Sequence, residues 1–156
     1  LLKKLPAEFR VYGLGGPSAD GNVELRAFSS VGFVEDLRTA RALVAGGGFS
    51  LLSEAVHLHV PVLTCPIRGQ YEQELNARYL ASLGYGTWTP SLSQTTLESF
   101  LKRLDTFAAG VSHYPSADNG MLHACLEELR RRVATNETPP DALEAPAKGK
   151  YEPRER

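Results

Sequence analysis

Cysteine is scarce in this chain: two residues among 156, Cys65 and Cys125, both in apolar surroundings. That excludes a disulfide framework or a cysteine-ligated zinc site and fits reduced thiols in a cytoplasmic protein. An excess of one charge is also lacking. Seventeen Lys and Arg against 18 Asp and Glu leave a formal net charge of −1. No broad basic face points to nucleic acid or to an acidic membrane. No apolar run approaches the roughly 18–20 residues of a membrane-spanning helix. HExxH, a nucleophile elbow and a spaced Cys-His pair do not occur. His57 and His59 lie two positions apart, on different faces of any helix, so helix-end histidines rather than a metal site are expected. Initiator Met and signal peptide are missing too. The chain opens Leu1-Leu2-Lys3-Lys4-Leu5, which reads as the inside of a helix, so 156 residues are expected to be a piece of a longer polypeptide.

What is present describes a globular body and a tail. Apolar residues make up 42% and charged residues 22%, the balance of an ordinary folded domain. Residues 135–156 hold four of the ten prolines and nine charges, with almost no large apolar side chains. Such a segment cannot bury enough surface to offset its ordering entropy. It is expected to be a disordered tail after a folded body over 1–134.

The body alternates short apolar runs with helix-period segments. Phe9 to Leu14 reads as a strand entering a Gly-rich turn, and Val23 to Phe28 alternates as a half-exposed strand does. Leu43-Val44-Ala45 and Pro61 to Cys65 read as buried parallel strands. Leu97, Phe100, Leu101, Leu104 and Phe107 form one core-facing helical stripe, with Thr95 and Glu98 as its capping box. Leu75, Tyr79, Leu80 and Leu83 form a second core stripe, in a helix that Gly84 ends. Leu122, Cys125, Leu126, Leu129 and Val133 form a third, with Asp118 or Asn119 as its cap. This order implies an α/β fold: a parallel sheet with helices on both faces.

Ligands of such sheets bind beyond the carboxyl ends of the strands. There Ala45 to Glu54 reads AGGGFSLLSE. Gly46, Gly47 and Gly48 follow a strand and precede a helix that starts near Phe49 or Ser50. Glycines permit close backbone approach, and a helix start offers unpaired N–H groups and a positive dipole end, which together suit a phosphate. A tight turn is the other reading. Glu54 lies about one turn beyond Ser50. Its carboxylate suits a vicinal diol, or serves only to offset the helix dipole. Gln70, Glu72 and Gln73, in the loop and helix start after the next strand, suit sugar hydroxyls or are ordinary polar junction residues.

The stretch AGGGFSLLSEAVHLHVPVLTCPIRGQYEQELNARYLASLGYG resembles the donor-binding, carboxyl-terminal half of GT-B glycosyltransferases. The group in question includes the peptidoglycan N-acetylglucosaminyltransferase and the UDP-glucuronosyltransferases. The resemblance implies a Rossmann-like domain, one half of a GT-B fold, that holds a UDP-sugar donor. The acceptor, the base and an amino-terminal domain would lie in another part of the same polypeptide. Leu1 to Leu5 would end the domain's first helix, with its first strand upstream. The resemblance assigns Gly46, Gly47, Gly48 and Ser50 to the phosphates and Glu54 to the ribose. It assigns Phe33 and Val34 to the base, and Gln70, Glu72 and Gln73 to the sugar, just before Asn76. Gly13 to Gly16 resembles the family's first Gly-rich turn. A His found in plant and animal relatives is replaced by Gly46, and a phosphate-binding Arg before Val23 is missing, with Arg68 as the available substitute. The reaction implied is hexosyl transfer without a metal or other cofactor. It would take place in the cytoplasm, or peripherally at a membrane for a lipid acceptor. Two alternatives share the fold: a UDP-sugar 2-epimerase, and a non-catalytic nucleotide-sugar-binding or scaffolding module.

Overall fold

The computed structural model describes residues 1–115 and 119–135. Asp118 and the expected tail from residue 136 onward lie outside the described residues. The chain divides into two compact units, Leu1–Ser116 and Ala117–Arg156, and each is taken by itself.

The first unit opens with a 3-10 turn over Leu2–Lys4 and carries two three-stranded sheets. Strands β1 (Phe9–Tyr12), β2 (Ser18–Asp20) and β3 (Val23–Arg26) form the first, in the order β1-β3-β2. β1 runs parallel to β3 with Phe9 beside Val23, whereas β2 returns antiparallel. The antiparallel β2 departs from the all-parallel expectation. Its three residues, Ser18, Ala19 and Asp20, are exposed and include no large apolar side chain, so no hydrophobic alternation marks it in the sequence. Helix α1 (Ser30–Thr39) follows, capped by Ser29, whose side chain accepts the Gly32 N–H. Strands β4 (Leu43–Ala45), β5 (Val62–Thr64) and β6 (Gly86–Trp88) form the second sheet in the order β4-β5-β6, all parallel. Helix α2 (Phe49–His57) links β4 to β5, and α3 (Tyr71–Ser82) links β5 to β6. Helices α4 (Gln94–Lys102) and α5 (Leu104–Ser112) complete the unit.

Strand β5 shows why helices cover both faces. Its neighbours Val62 and Leu63 point to opposite sides of the sheet. Val62 packs with Leu37, Leu52, Val56 and Leu80 from α1, α2 and α3. Leu63 packs with Leu97, Phe100, Leu104 and Phe107 from α4 and α5. Phe9 of β1 joins this second cluster, which ties the two sheets to one core. Both linking helices end alike. Val60 N–H bonds the Ala55 carbonyl and His59 N–H that of Val56; Tyr85 and Gly84 repeat the pattern on Leu80 and Ala81. This is the Schellman ending, with Gly84 at φ 78 and His59 at φ 57 in the left-handed position.

Three expectations about the helices of this unit also need correction. The stripe from Leu97 to Phe107 belongs to two helices. Arg103 breaks the run (φ −102, ψ 8), and Phe100 and Phe107 still stack at 5.6 Å across the bend. The cap of α4 is not Thr95 with Glu98 but Ser93 with Thr96, in a reciprocal capping box. On α3, Leu75, Tyr79 and Leu83 are exposed rather than core, and Leu80 alone of that stripe is buried. The inward face is Gln73, Asn76, Ala77 and Leu80, at the spacing of one helical face.

Among the described residues nothing pairs with the outer edges of the two sheets. Phe9 N–H bonds the Asn22 carbonyl on the β3 side, so alternation turns the N–H groups of Arg10 and Tyr12 to the other edge of β1. Leu43 N–H bonds the Pro61 carbonyl, which turns the Val44 N–H to the outer edge of β4.

The second unit contains α6 (Gly120–Thr135), which takes in the first residue of the expected tail. Asn119 precedes it at φ 56, and its carbonyl accepts the His123 N–H. The expected core stripe is not buried: Leu122, Leu126, Leu129 and Val133 are exposed. Among the described residues of this unit α6 is the single element, and none of them covers the stripe. Local pairs support the helix. Arg131 and Arg132 bond Glu128 at 3.0 and 2.7 Å and hold its carboxyl down at about 2.

Asp36 on α1 fastens that helix to the first sheet. Its carboxylate accepts from Arg10 at 2.7 Å, from Arg26 at 3.2 Å and from the Tyr12 hydroxyl. Burial, then the bond to Asp36, raises the pKa of Tyr12. Asp36→Asn loses the charge and sets an N–H donor against these donors. It is expected to cost about 2 kcal/mol in urea unfolding, against about 0.5 kcal/mol for half-exposed Arg10→Met. Gly110 supplies a test of the packing. A Cβ there would lie 2.3 Å from the Gly84 carbonyl oxygen. Gly110→Ala should therefore destabilise by about 2 kcal/mol. Gly32→Ala, with its nearest neighbour at 3.4 Å, should stabilise by about 1 kcal/mol through helix propensity. Denaturation midpoints of the two variants check the opposite signs.

Candidate functional site

The carboxyl ends of β4 and β5 lie side by side, and each leads into a helix. Cys65 N–H extends the pairing by bonding the Ala45 carbonyl at 2.8 Å. Past that point the two chains part, one into Gly46-Gly47-Gly48 and α2, the other into the Pro66–Gln70 loop and α3. One side chain bridges them. Gln73 Oε1 accepts the Gly47 N–H at 3.1 Å and the Ile67 N–H at 3.1 Å. Its Nε2 donates to Gln70 Oε1 at 2.6 Å. Asn76, one turn on, donates to the Gly47 carbonyl at 3.0 Å.

Gly47 can be nothing larger. A Cβ there would sit 2.1 Å from the backbone oxygen of Gln73. A Cβ on Gly48 would meet nothing within 4 Å, so that glycine leaves open space in front of the helix. Gly48 stands at the N-cap of α2 and Gln70 at that of α3, and neither helix has a side-chain cap. Helices α1 and α4 on the same unit are capped by serines. The N–H groups that open α2 thus keep their positive field for whatever lies in front of them.

The expected site residues other than Gly48 fall into four sets. Gly47, Gln70 and Gln73 are bonded together, with Gly46 alongside. Ser50 and Glu54 are exposed on α2, four residues apart and so on one face. Glu72 is exposed in the first turn of α3, where an acid suits the dipole. Phe33 and Val34 stand apart, on α1. Phe33 meets Tyr12 edge-on at 5.0 Å and packs against the core cluster that includes Leu52 of α2, while Val34 is exposed. Arg68 is exposed. Among the described residues no three His, Cys, Asp or Glu side chains gather where they could hold a metal ion.

Sequence reasoning missed the Asp36 hub. Arg10, Glu24 and Arg26 on neighbouring strands were its only signal, and strand pairing was needed to read it. A cavity of about 460 Å³ lined by Glu8, Phe9, Arg10, Asn22 and Glu24 lies at the amino ends of β1 and β3. That is the opposite end from the loops where α/β sheets bind ligands.

Comparison with known proteins bears on the family and the fold. The model of glycosyl transferase family 1 matches residues 1–105. An uncharacterized glycosyltransferase of Methanosarcina acetivorans is 37% identical over 81 residues, covering 47% of this chain and 21% of the relative. Its counterpart in Methanosarcina mazei is 35% identical over 81 residues, with the same coverage. The match therefore spans about a fifth of these relatives' length. Among solved structures, the spinosyn forosaminyltransferase SpnP superposes with a TM-score of 0.61 at 20% identity, covering 86% of this chain and 37% of that one. The glycosyltransferase VinC, in complex with DTDP, superposes at 0.56 with 26% identity, covering 76% and 31%. A parallel α/β sheet with helices on both faces and a family match over two thirds of the length lead to one assignment: this chain belongs to glycosyl transferase family 1 and is a GT-B glycosyltransferase domain.

Proposed function

We propose that the chain is the nucleotide-sugar donor-binding domain of a glycosyltransferase, with a UDP-sugar as donor and an acceptor held by another part of the polypeptide. The observation that carries this is the uncapped start of α2 behind the open space at Gly48. In this reading Gly46, Gly47, Gly48 and Ser50 surround the diphosphate. Glu54, on the Ser50 face of α2, accepts two hydrogen bonds from the ribose diol. Phe33 and Val34 border the base, and Gln70, Glu72 and Gln73 border the sugar. During transfer the bond from the sugar's anomeric carbon to the diphosphate breaks and its electron pair passes to the β-phosphate. Preorganised N–H groups at the helix start stabilise that charge. The acceptor hydroxyl bonds the same carbon, and its proton goes to a base outside this chain. A cytoplasmic setting belongs to the reading, supported by the free thiols Cys65 and Cys125. No helix among the described residues is long and apolar enough to cross a membrane.

The likeness to VinC brings in a second nucleotide, thymidine diphosphate. Titration of the chain with UDP, 2′-deoxy-UDP and dTDP, read by amide NMR, separates the possibilities. The reading expects millimolar UDP to move the amides of Gly48, Phe49 and Ser50. It also expects UDP to bind about tenfold tighter than 2′-deoxy-UDP, since one bond to a carboxylate is lost. Glu54→Ala should erase that difference. Tighter binding of dTDP than UDP would reassign the donor, and silent amides with all three nucleotides would overturn the site.

A further inference from the structure

Gln73 stands among the residues expected to read the donor's sugar, yet its amide oxygen is already committed. The oxygen accepts two backbone N–H groups, from Gly47 and Ile67, one in each loop. One of the nitrogen's two N–H groups donates to Gln70. An amide oxygen has two lone pairs, so two donors fill it. The backbone of the same residue forms the wall against which Gly47 packs. We infer that Gln73 is a positioning residue: it fixes the Gly46–Gly48 loop and the Pro66–Gln70 loop relative to each other, and it acts on the diphosphate end of the donor through Gly47 rather than on the sugar. The inference rests on the donor-binding reading for its ligand, but the clamp itself is a property of the ligand-free chain.

The chemistry follows from the geometry. Gly47 lies one residue before the helix start, so its carbonyl direction, fixed by Asn76, and its N–H direction, fixed by Gln73, set where the next N–H groups point. A hydrogen-bonding site misplaced by about 1 Å loses much of its value for a developing charge. Gln73 therefore links recognition across the two loops. A residue that reads the sugar alone would alter UDP-sugar binding and leave UDP binding unchanged. A residue that sets the loop alters both alike.

Two variants of the 156-residue chain test this: Gln73→Leu, which removes the clamp while keeping bulk, and exposed Gln70→Ala, which only releases the amide nitrogen. The probes are UDP and UDP-glucose, with hydrogen exchange of the Gly47 and Ile67 amides measured without ligand. In Gln73→Leu both amides should lose protection, while those of β3 and α5 keep theirs. UDP and UDP-glucose should weaken by the same factor, about tenfold for two lost bonds. Gln70→Ala should shift the same amides in the same direction by less. Unchanged exchange at Gly47 and Ile67 would overturn the clamp. A loss of UDP-glucose binding with UDP affinity intact would return Gln73 to the sugar. Failure of the unsubstituted chain to bind either probe would remove the donor reading, and the exchange data alone would then decide the clamp.

Discussion

The site depends on the approach of two backbones, Gly47 against Gln73. No side chain fits between them, and the amide of Gln73 closes the contact by filling the donor that the glycine exposes. That contact fixes more than a loop. It settles the rotation of α3, since Gln73 and Asn76 must face β4, and Ala77 and Leu80 follow them inward at helical spacing. Leu75 and Tyr79 are turned to solvent as a result. Leaving the N–H of buried Gly47 without a partner would cost free energy, which favours turning Gln73 inward together with Ala77 and Leu80.

This is also where the sequence is hardest to read. Hydrophobic runs located β4 and β5; β5 is buried throughout as its pattern says, whereas in β4 Val44 is exposed. On α3 the same rule nominated Leu75, Tyr79 and Leu83, because it cannot weigh an amide that will meet two backbone donors from other parts of the chain. α6 shows the opposite limit. Its stripe is regular, but a pattern describes what a face could bury and not whether anything lies across from it. The Asp36 hub was hidden for a third reason. Arg10 and Arg26 become neighbours of Asp36 only after β1 pairs with β3.

The expected binding residues were legible as types and order rather than as partners. Glycines after a strand, an acid four residues into the helix and amides at the next helix start all lie on or beside the carboxyl edge of the second sheet. The resemblance to glycosyltransferases named that edge, and the family match over residues 1–105 shows the family to which the chain belongs. What neither could say is how the positions divide the work. The structure separates Gln73, whose amide oxygen is satisfied within the protein, from Ser50 and Glu54, which stay exposed on one face of α2.

The free edges of β1 and β4 have a consequence of another kind. The N–H groups of Arg10, Tyr12 and Val44 face outward along them, and a row of unpaired strand donors and acceptors is a template for any extended chain. A protein with a net charge of −1 has little self-repulsion to keep copies apart. With so little charge repulsion, copies that meet along these strands have backbone partners ready.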